Sequence, residues 1–438
     1  MIGNLPIAIA HGTGGNVPVA FVIACAILFA FTAGYGFIGH RVVSAGAFYA
    51  YVAAGLGKPM GVGAAFCAVL AYSVFAFGLA TACGYFDTQV FQAVGLKVSW
   101  VICAAVSVGI AGVLNGRAMD VSSKLLGVII VVESAILAAF DFSVIAVKGL
   151  GAFPLSSFAP GHWLEPGVGV SLMTAFTCFV GFESGALYSK EAEKPARSIP
   201  LASYISVAVI GGFYMLTAWI AIGGMGEAQA RSIATAHGGT LMLDLIKQYD
   251  GEVASDVSGV LLCTSMLATY IAIHAAAARY MHALAGEKLL PGFLAQTNVA
   301  TNVPVAATFF LSGLTAMGLA SVAGAGTDPY AVLIPVLIGA GTLGIIALQA
   351  AAAVAIFFYV LRHRQEAGLL VLGSALLAAI GLCVALGTVC TNFEVLAGFE
   401  LPILTWLPVI YLVTGLGGLG LGLWLRVQRP VLYARLAL

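Results

Sequence analysis

The chain has 438 residues, of which 61% are hydrophobic and only 8% charged, and its 18 basic and 18 acidic side chains cancel. Soluble domains carry roughly 25% charged residues, so a water-soluble fold is excluded. No basic patch or aromatic–basic interleaving points to nucleic acid.

Apolar runs long enough to cross a bilayer, about 20 residues each, recur along the chain. Residues 1–12 (MIGNLPIAIAHG) are apolar but too short to span. Span 2 is expected at 17–39, followed by a Gly-rich apolar approach at 44–57 and span 3 at 61–86. Spans 4 to 8 follow at 98–116, 121–147, 167–191, 201–225 and 254–284. Spans 9 to 12 follow at 303–323, 331–361, 368–390 and 402–426. The most polar stretch, 227–253, contains LMLDLIKQY. Its helical apolar spacing fits a short amphipathic helix on the outer face, and its polarity fits a solvated loop equally well. The N-terminus lacks the basic region of a cleavable signal. The eight cysteines are dispersed in apolar spans with no CxxC pair, which reads as reduced packing residues.

The charges orient this map. With the 40–60 loop inside, fourteen of the 18 basic residues fall on the inner side, among them Arg41, Lys58, Arg117, Arg279, Arg362 and Arg429. Only Lys97, Lys148, Arg231 and Lys247 fall outside. Such a bias follows the positive-inside rule and puts the C-terminus in the cytoplasm of a cell (inner) membrane.

Span 6 holds the most informative residues. Gly181 and Gly185 lie mid-span with Glu183 between them. Glycine weakens a helix by about 1 kcal/mol relative to alanine, and a mid-bilayer carboxylate costs a few kcal/mol unless it meets a cavity or partner. A helix break there frees backbone groups for a solute, as in transporters with discontinuous helices. A tight helix crossing with a hydrogen-bonded glutamate is the alternative. In span 5, Lys124 is an interfacial lysine, and Glu133 is a mid-membrane acid nine residues later, half a turn out of phase. Interhelical bonding and proton relay both suit Glu133. His274, alone in the middle of span 8, suits packing or titration. No nucleophile–base pair, HExxH spacing or phosphate loop is present, and nothing calls for an enzyme, a cofactor or a metal.

GFES followed by EAEKPARSIPLA resembles the helix-6 signature of the amino acid–polyamine–organocation (APC) superfamily of transporters. AGAFYAYVAAGLGKPMG at 45–61 and ARYMHALAGEKLLP at 278–291 are similar to that family's segments before helix 3 and after helix 8. The resemblance implies an all-α membrane fold of two inverted five-helix repeats with broken helices 1 and 6 around the substrate. The repeats would be 1–149 and 167–361, with two extra helices in 368–427, all in one transmembrane domain. The first helix would be truncated or half-length, with its glycine turn at Ile2-Gly3-Asn4. Carried over residue by residue, Gly3, Asn4, Thr177, Cys178, Phe179, Val180 and Gly181 would line the site, with Glu183 beside them. Relatives carry a large aromatic near position 177, so Thr177 implies a bulkier substrate or another cap. Lys124 would occupy the place of the cation in sodium-coupled relatives, with Thr269 as the small hydroxyl facing it; Glu133 and His274 would complete the coupling set.

The expected function is secondary active transport of an amino acid or related amine by alternating access, coupled to protons or working by exchange. The rival is a non-transporting membrane scaffold or sensor on the same fold. The expected partners are the solute, a proton and the lipid bilayer, without nucleic acid.

Overall fold

The computed structural model describes residues 1–39, 41–42, 48–117, 123–162, 167–182, 195–298, 303–394 and 406–436. The described residues are helical, without a strand. The first half comprises α1 (Leu5–His11), α2 (Val17–Gly39), α3 (Phe48–Leu56), α4 (Lys58–Ala93), α5 (Trp100–Gly116) and α6 (Ser123–Lys148). The second comprises α7 (Val168–Phe179), α8 (Pro195–Met225), the shorter helices α9 (Glu227–His237) and α10 (Leu241–Asp250), α11 (Glu252–Gly286), α12 (Val305–Gly324) and α13 (Ile334–Arg362). Then come α14 (Arg364–Thr391), α15 (Leu407–Gln428) and the short α16 (Pro430–Arg435).

Among the described residues nine helices are long and apolar enough to cross a membrane, and α5 and α7 are shorter apolar helices. Prolines stand in the first turn of α1, α4, α13 and α15, where the missing N–H is not needed and φ is already helical. The outward faces carry exposed apolar side chains, such as Val131, Phe142 and Leu377. Hydrocarbon, unlike water, leaves such faces at no cost, so the helices associate through close packing and interhelical hydrogen bonds.

The elements depart from the expected spans where polar ends are involved. Helix α4 has 36 residues rather than the 26 expected. At 1.5 Å per residue it is about 54 Å long, so its polar last turns, with Asp87, Gln89 and Gln92, run past the hydrocarbon. The Gly-rich approach contains the buried helix α3, with Phe48, Tyr49 and Tyr51 in the core. In α14 the backbone turns non-helical at Gly368 (φ 74°), where span 11 was expected to start. The stretch 227–253 forms two helices, α9 and α10. In α10 Leu241, Met242, Leu245 and Ile246 are buried, so the amphipathic alternative holds, its apolar face turned onto the protein.

Small residues set the core spacing. A Cβ at Gly341 of α13 would lie 2.6 Å from Cα of Phe75 in α4. One at Gly344 would lie 2.3 Å from the Tyr411 ring. Helices α4 and α13 therefore touch backbone to side-chain root, as membrane helices with small residues at their interfaces do.

At one end, Arg41 pairs with Glu366 (2.9 Å) and Arg362 donates to the Gly55 carbonyl (3.0 Å). Lys58 donates there to the carbonyls of Tyr433, Ala434 and Leu436. Helices α9 and α10 lie elsewhere, with Arg231 of α9 donating to the Gly12 carbonyl at the end of α1 (2.8 Å).

Candidate functional site

Helices α1 and α7 lie side by side and antiparallel. At one end Thr13 N–H donates to Ser171 Oγ (2.9 Å), and the two hydroxyls are 3.0 Å apart. At the other, the Asn4 side chain reaches the Cys178 thiol. Both helices stop at this second end. Residues Met1 to Asn4 form a turn in which the Asn4 and Leu5 N–H groups both donate to the Met1 carbonyl. Helix α7 ends at Phe179: Val180 turns extended (φ −59°, ψ 127°) and Gly181 has φ +104°.

The end of α7 has a local physical cause. Val180 N–H donates to Thr177 and Phe182 N–H to Phe179, both i−3 contacts. The Phe176 carbonyl thus loses the i+4 donor that an α-helix would give it. Gly181 supplies the positive φ that a residue with a Cβ resists. The interruption expected from the glycines in span 6 is present up to Phe182; Glu183 and Gly185 lie outside the described residues.

Around this junction a few polar groups stand among apolar side chains such as Ile7, Met173, Ile334 and Ile338. Thr177 donates to the Met173 carbonyl (2.8 Å), and its oxygen is 2.8 Å from the Thr342 hydroxyl of α13. Asn4, Thr177 and Gly339 line a cavity of about 20 Å³, room for roughly one water. Phe179 is buried, its ring against the Gly211 position of α8, and Phe182 packs edge-on to Phe31 of α2. The residue before Asn4, Gly3, faces the Phe86 ring and Met266.

A second cavity of about 70 Å³ adjoins the Met1–Ile2 turn. Glu133 of α6 lines it with Tyr214 of α8 and Ser258 and Ser265 of α11. Glu133 Oε1 is buried without a hydrogen-bond partner, while Ser265 faces its carboxyl group. Thr269, one turn from Ser265, is exposed and donates to the Ser265 carbonyl (2.9 Å). Lys124 lies in the first turn of α6; its side chain lies outside the described residues.

His274 is apart from this group. It is fully buried, with Nδ1 3.2 Å from Asn115 Nδ2 of α5 and Nε2 3.0 Å from Ser312 Oγ of α12. The Asn115 amide nitrogen only donates, and it also donates to the Ile271 carbonyl (3.0 Å). Nδ1 must then accept, which leaves the proton on Nε2, donating to Ser312. His274 thus ties three helices together.

Of the expected residues, Gly3, Asn4, Thr177, Cys178, Phe179, Val180 and Gly181 come together, with Glu133 in the adjoining chamber. Two polar residues escaped the reading of the sequence. Thr342 sits in IGAGTLG, which carries no local signal. Asp141 sits in AAFDFSV as a lone intramembrane acid, the same signal that marked Glu133. It is 5% exposed and accepts a hydrogen bond from Thr217 of α8 (2.8 Å).

The sequence profile of the family described as "Amino acid permease" matches residues 1–419. The chain belongs to the amino acid permease family. As a member of the family it is a multi-pass membrane transporter. No curated protein sequence matches it. Among solved structures it is similar to a manganese transporter of Eremococcus coleocola in complex with an aromatic bis-isothiourea compound. The two share 11% identity over 99% of this chain and 92% of that one, with a TM-score of 0.60. Two single-residue variants of that transporter match at 11% and 12% identity over the same shares, each with a TM-score of 0.59. This likeness fixes the fold as the all-α, 5+5 inverted-repeat transporter fold. The first described helix is short, Leu5–His11, and the sixth is interrupted after Phe179.

Proposed function

We propose that this permease is a secondary carrier of amino acids or related amines that works by alternating access. The observation that carries the reading is the junction at Val180–Gly181, where α7 stops short against the Gly3–Asn4 turn. Its polar groups are a carboxamide, threonine hydroxyls, a thiol and the helix-end carbonyl of Phe176, which suit a zwitterion or an ammonium better than an apolar solute. Ammonium donates to carbonyl and hydroxyl oxygens, and carboxylate accepts from amide and hydroxyl groups. The cavity at the junction is too small for an amino acid, so binding requires α1 and α7 to part from α13, breaking the Thr177–Thr342 contact.

Coupling to protons, or exchange without an ion, is part of the same proposal. Glu133 supports it as a membrane carboxyl with a buried, unpartnered oxygen beside the junction. Glu183 and Lys124 are assigned by sequence position, the first to solute recognition or proton shuttling, the second to the place of a coupling cation. The basic ends of the helices support a cell-membrane orientation with the C-terminus in the cytoplasm.

The test is counterflow in proteoliposomes. Vesicles preloaded with a mixture of the common amino acids, or with putrescine, should take up trace labelled probe against its gradient. A protein that binds these probes without counterflow is a scaffold or sensor. Uptake that follows a sodium gradient and ignores a pH gradient ends the proton reading.

A further inference from the structure

A second membrane acid lies outside the substrate junction. Asp141 is on α6, eight residues beyond Glu133, which is about 12 Å along the helix axis. Its carboxyl group is buried against α8. One oxygen accepts from the Thr217 hydroxyl (2.8 Å), and the other, Oδ1, is buried with no hydrogen-bond partner. Thr217 itself is wholly buried.

The surroundings hold no countercharge among the described residues. From α8 only Thr217 faces the carboxyl group, and nothing charged or titratable comes from the 149–152 turn below α8. From α10, Tyr249 stacks edge-on to Phe140, and its hydroxyl donates to the Gly224 carbonyl (2.8 Å). Asp250 accepts from Ser143, and Lys247 is engaged with Glu252 at the surface. On α11, Glu252 and Asp256 stand in the first two turns, at the outer surface. On α6 itself, Glu133 belongs to the other chamber and Lys148 is exposed at the helix end. A carboxylate among apolar walls, with one neutral donor and one empty acceptor, is costly, whereas a carboxylic acid there is neutral.

We propose that Asp141 is a proton-binding site of this transporter, loaded and unloaded as α8 moves against α6. The assignment rests on the proton-coupled reading above and names the group that carries the proton. With α8 seated, the acid is sealed and keeps its proton. When α8 withdraws, the Thr217 bond breaks and water reaches the carboxyl group. The O–H bond then breaks and the proton passes to water on that side. On the return, water from the opposite side supplies the proton and the O–H bond reforms. The net change is one proton moved between the two aqueous phases, with no other reactant. Asp250, bonded to Ser143 two residues along α6 from Asp141, lies at the end where α10 packs on α6, so that end is the shorter route to water.

Asp141→Asn separates this role from simple packing. The amide oxygen still accepts from Thr217, so folding is kept, but the amide cannot carry the proton. With one proton per solute, a pH step of one unit supports about tenfold accumulation. Proteoliposomes given a labelled mixture of the common amino acids should show that accumulation for the wild type and none for D141N, with counterflow retained by both. Infrared difference spectra at neutral pH should show a protonated carboxyl C=O band that D141N lacks. D141N that still accumulates with the pH step, or that leaves the band intact, overturns the assignment while the proton-coupled reading stands. A wild type that counterflows yet ignores the pH step overturns both. Asp141→Ala, which loses the Thr217 bond, should unfold at lower temperature than D141N; equal unfolding temperatures with lost accumulation still support the proton role.

Discussion

Replacing Gly181 by alanine isolates what the backbone contributes at the helix break. The residue has φ +104°, and a Cβ placed there meets no other atom within 4 Å. Steric crowding is therefore absent, and any effect comes from the conformation alone. Holding an alanine at positive φ costs about 1–2 kcal/mol. If the chain relaxes by straightening the break, the binding-competent form becomes about 5–30-fold rarer, and apparent affinity falls by the same factor. Gly212 of α8 is the matched control, because it too has open space but lies in regular helix. Alanine there should be neutral or stabilise by up to about 1 kcal/mol. The assay is thermal unfolding and equilibrium binding of labelled amino acids on purified protein, both variants beside wild type. G181A with unchanged affinity and unchanged unfolding temperature would refute the argument that the left-handed glycine builds the site.

Other outcomes follow from specific contacts. Thr177→Val should leave the Thr342 hydroxyl without its partner at a cost of about 1–3 kcal/mol, and the T177V/T342V pair should recover part of it; a thermal double-mutant cycle with no coupling would remove that contact from the account. Lys58→Met should free residues 430–436 from the base of α4, because the ammonium donates to three of their carbonyls; faster carboxypeptidase trimming with unchanged binding of labelled amino acids is expected, and equal trimming would be the contrary result. Glu252, 2.6 Å from Lys247, holds that ammonium above its ordinary pKa, and Lys247 holds the carboxylate below its own. Their mutual stabilisation is present at neutral pH and lost on either side, as pH falls through the lowered Glu252 value or rises through the raised Lys247 value. The pair is exposed to solvent, so Lys247→Gln should leave the unfolding temperature at neutral pH unchanged and move the Glu252 titration, followed by NMR, back up toward the ordinary carboxylate range.

Much of this architecture was legible in the sequence because hydrocarbon imposes simple rules. Length and apolarity marked the long spans, and glycines around Glu183 marked the interruption of the sixth. Where segments leave the hydrocarbon or are too short to span it those rules lapse, which is why α4 runs on past Phe86 and why the approach at 44–57 was not read as containing the nine-residue α3. The site residues on α7 were legible through family resemblance to the GFES motif rather than through periodicity. Thr342 was not, since a threonine among Gly, Ala and Leu looks the same whether it faces lipid or the Thr177 hydroxyl. His274 shows the complementary case. Its position in mid-span was plain, but its role as a bridge from Asn115 to Ser312 depends on two other helices that no local pattern names.

The contact of α13 with α4 also limits how the molecule can rearrange. With Gly341 seated on Phe75 and Gly344 on Ala71 and Tyr411, a shift of α13 by one residue would bring Leu343 or Ile345 into a slot shaped for hydrogen. The two helices are keyed like a tongue in a groove and must travel as one piece. In the proposed cycle, motion has to take place around that piece, at the seams where α1 and α7 meet α13 and where α8 meets α6.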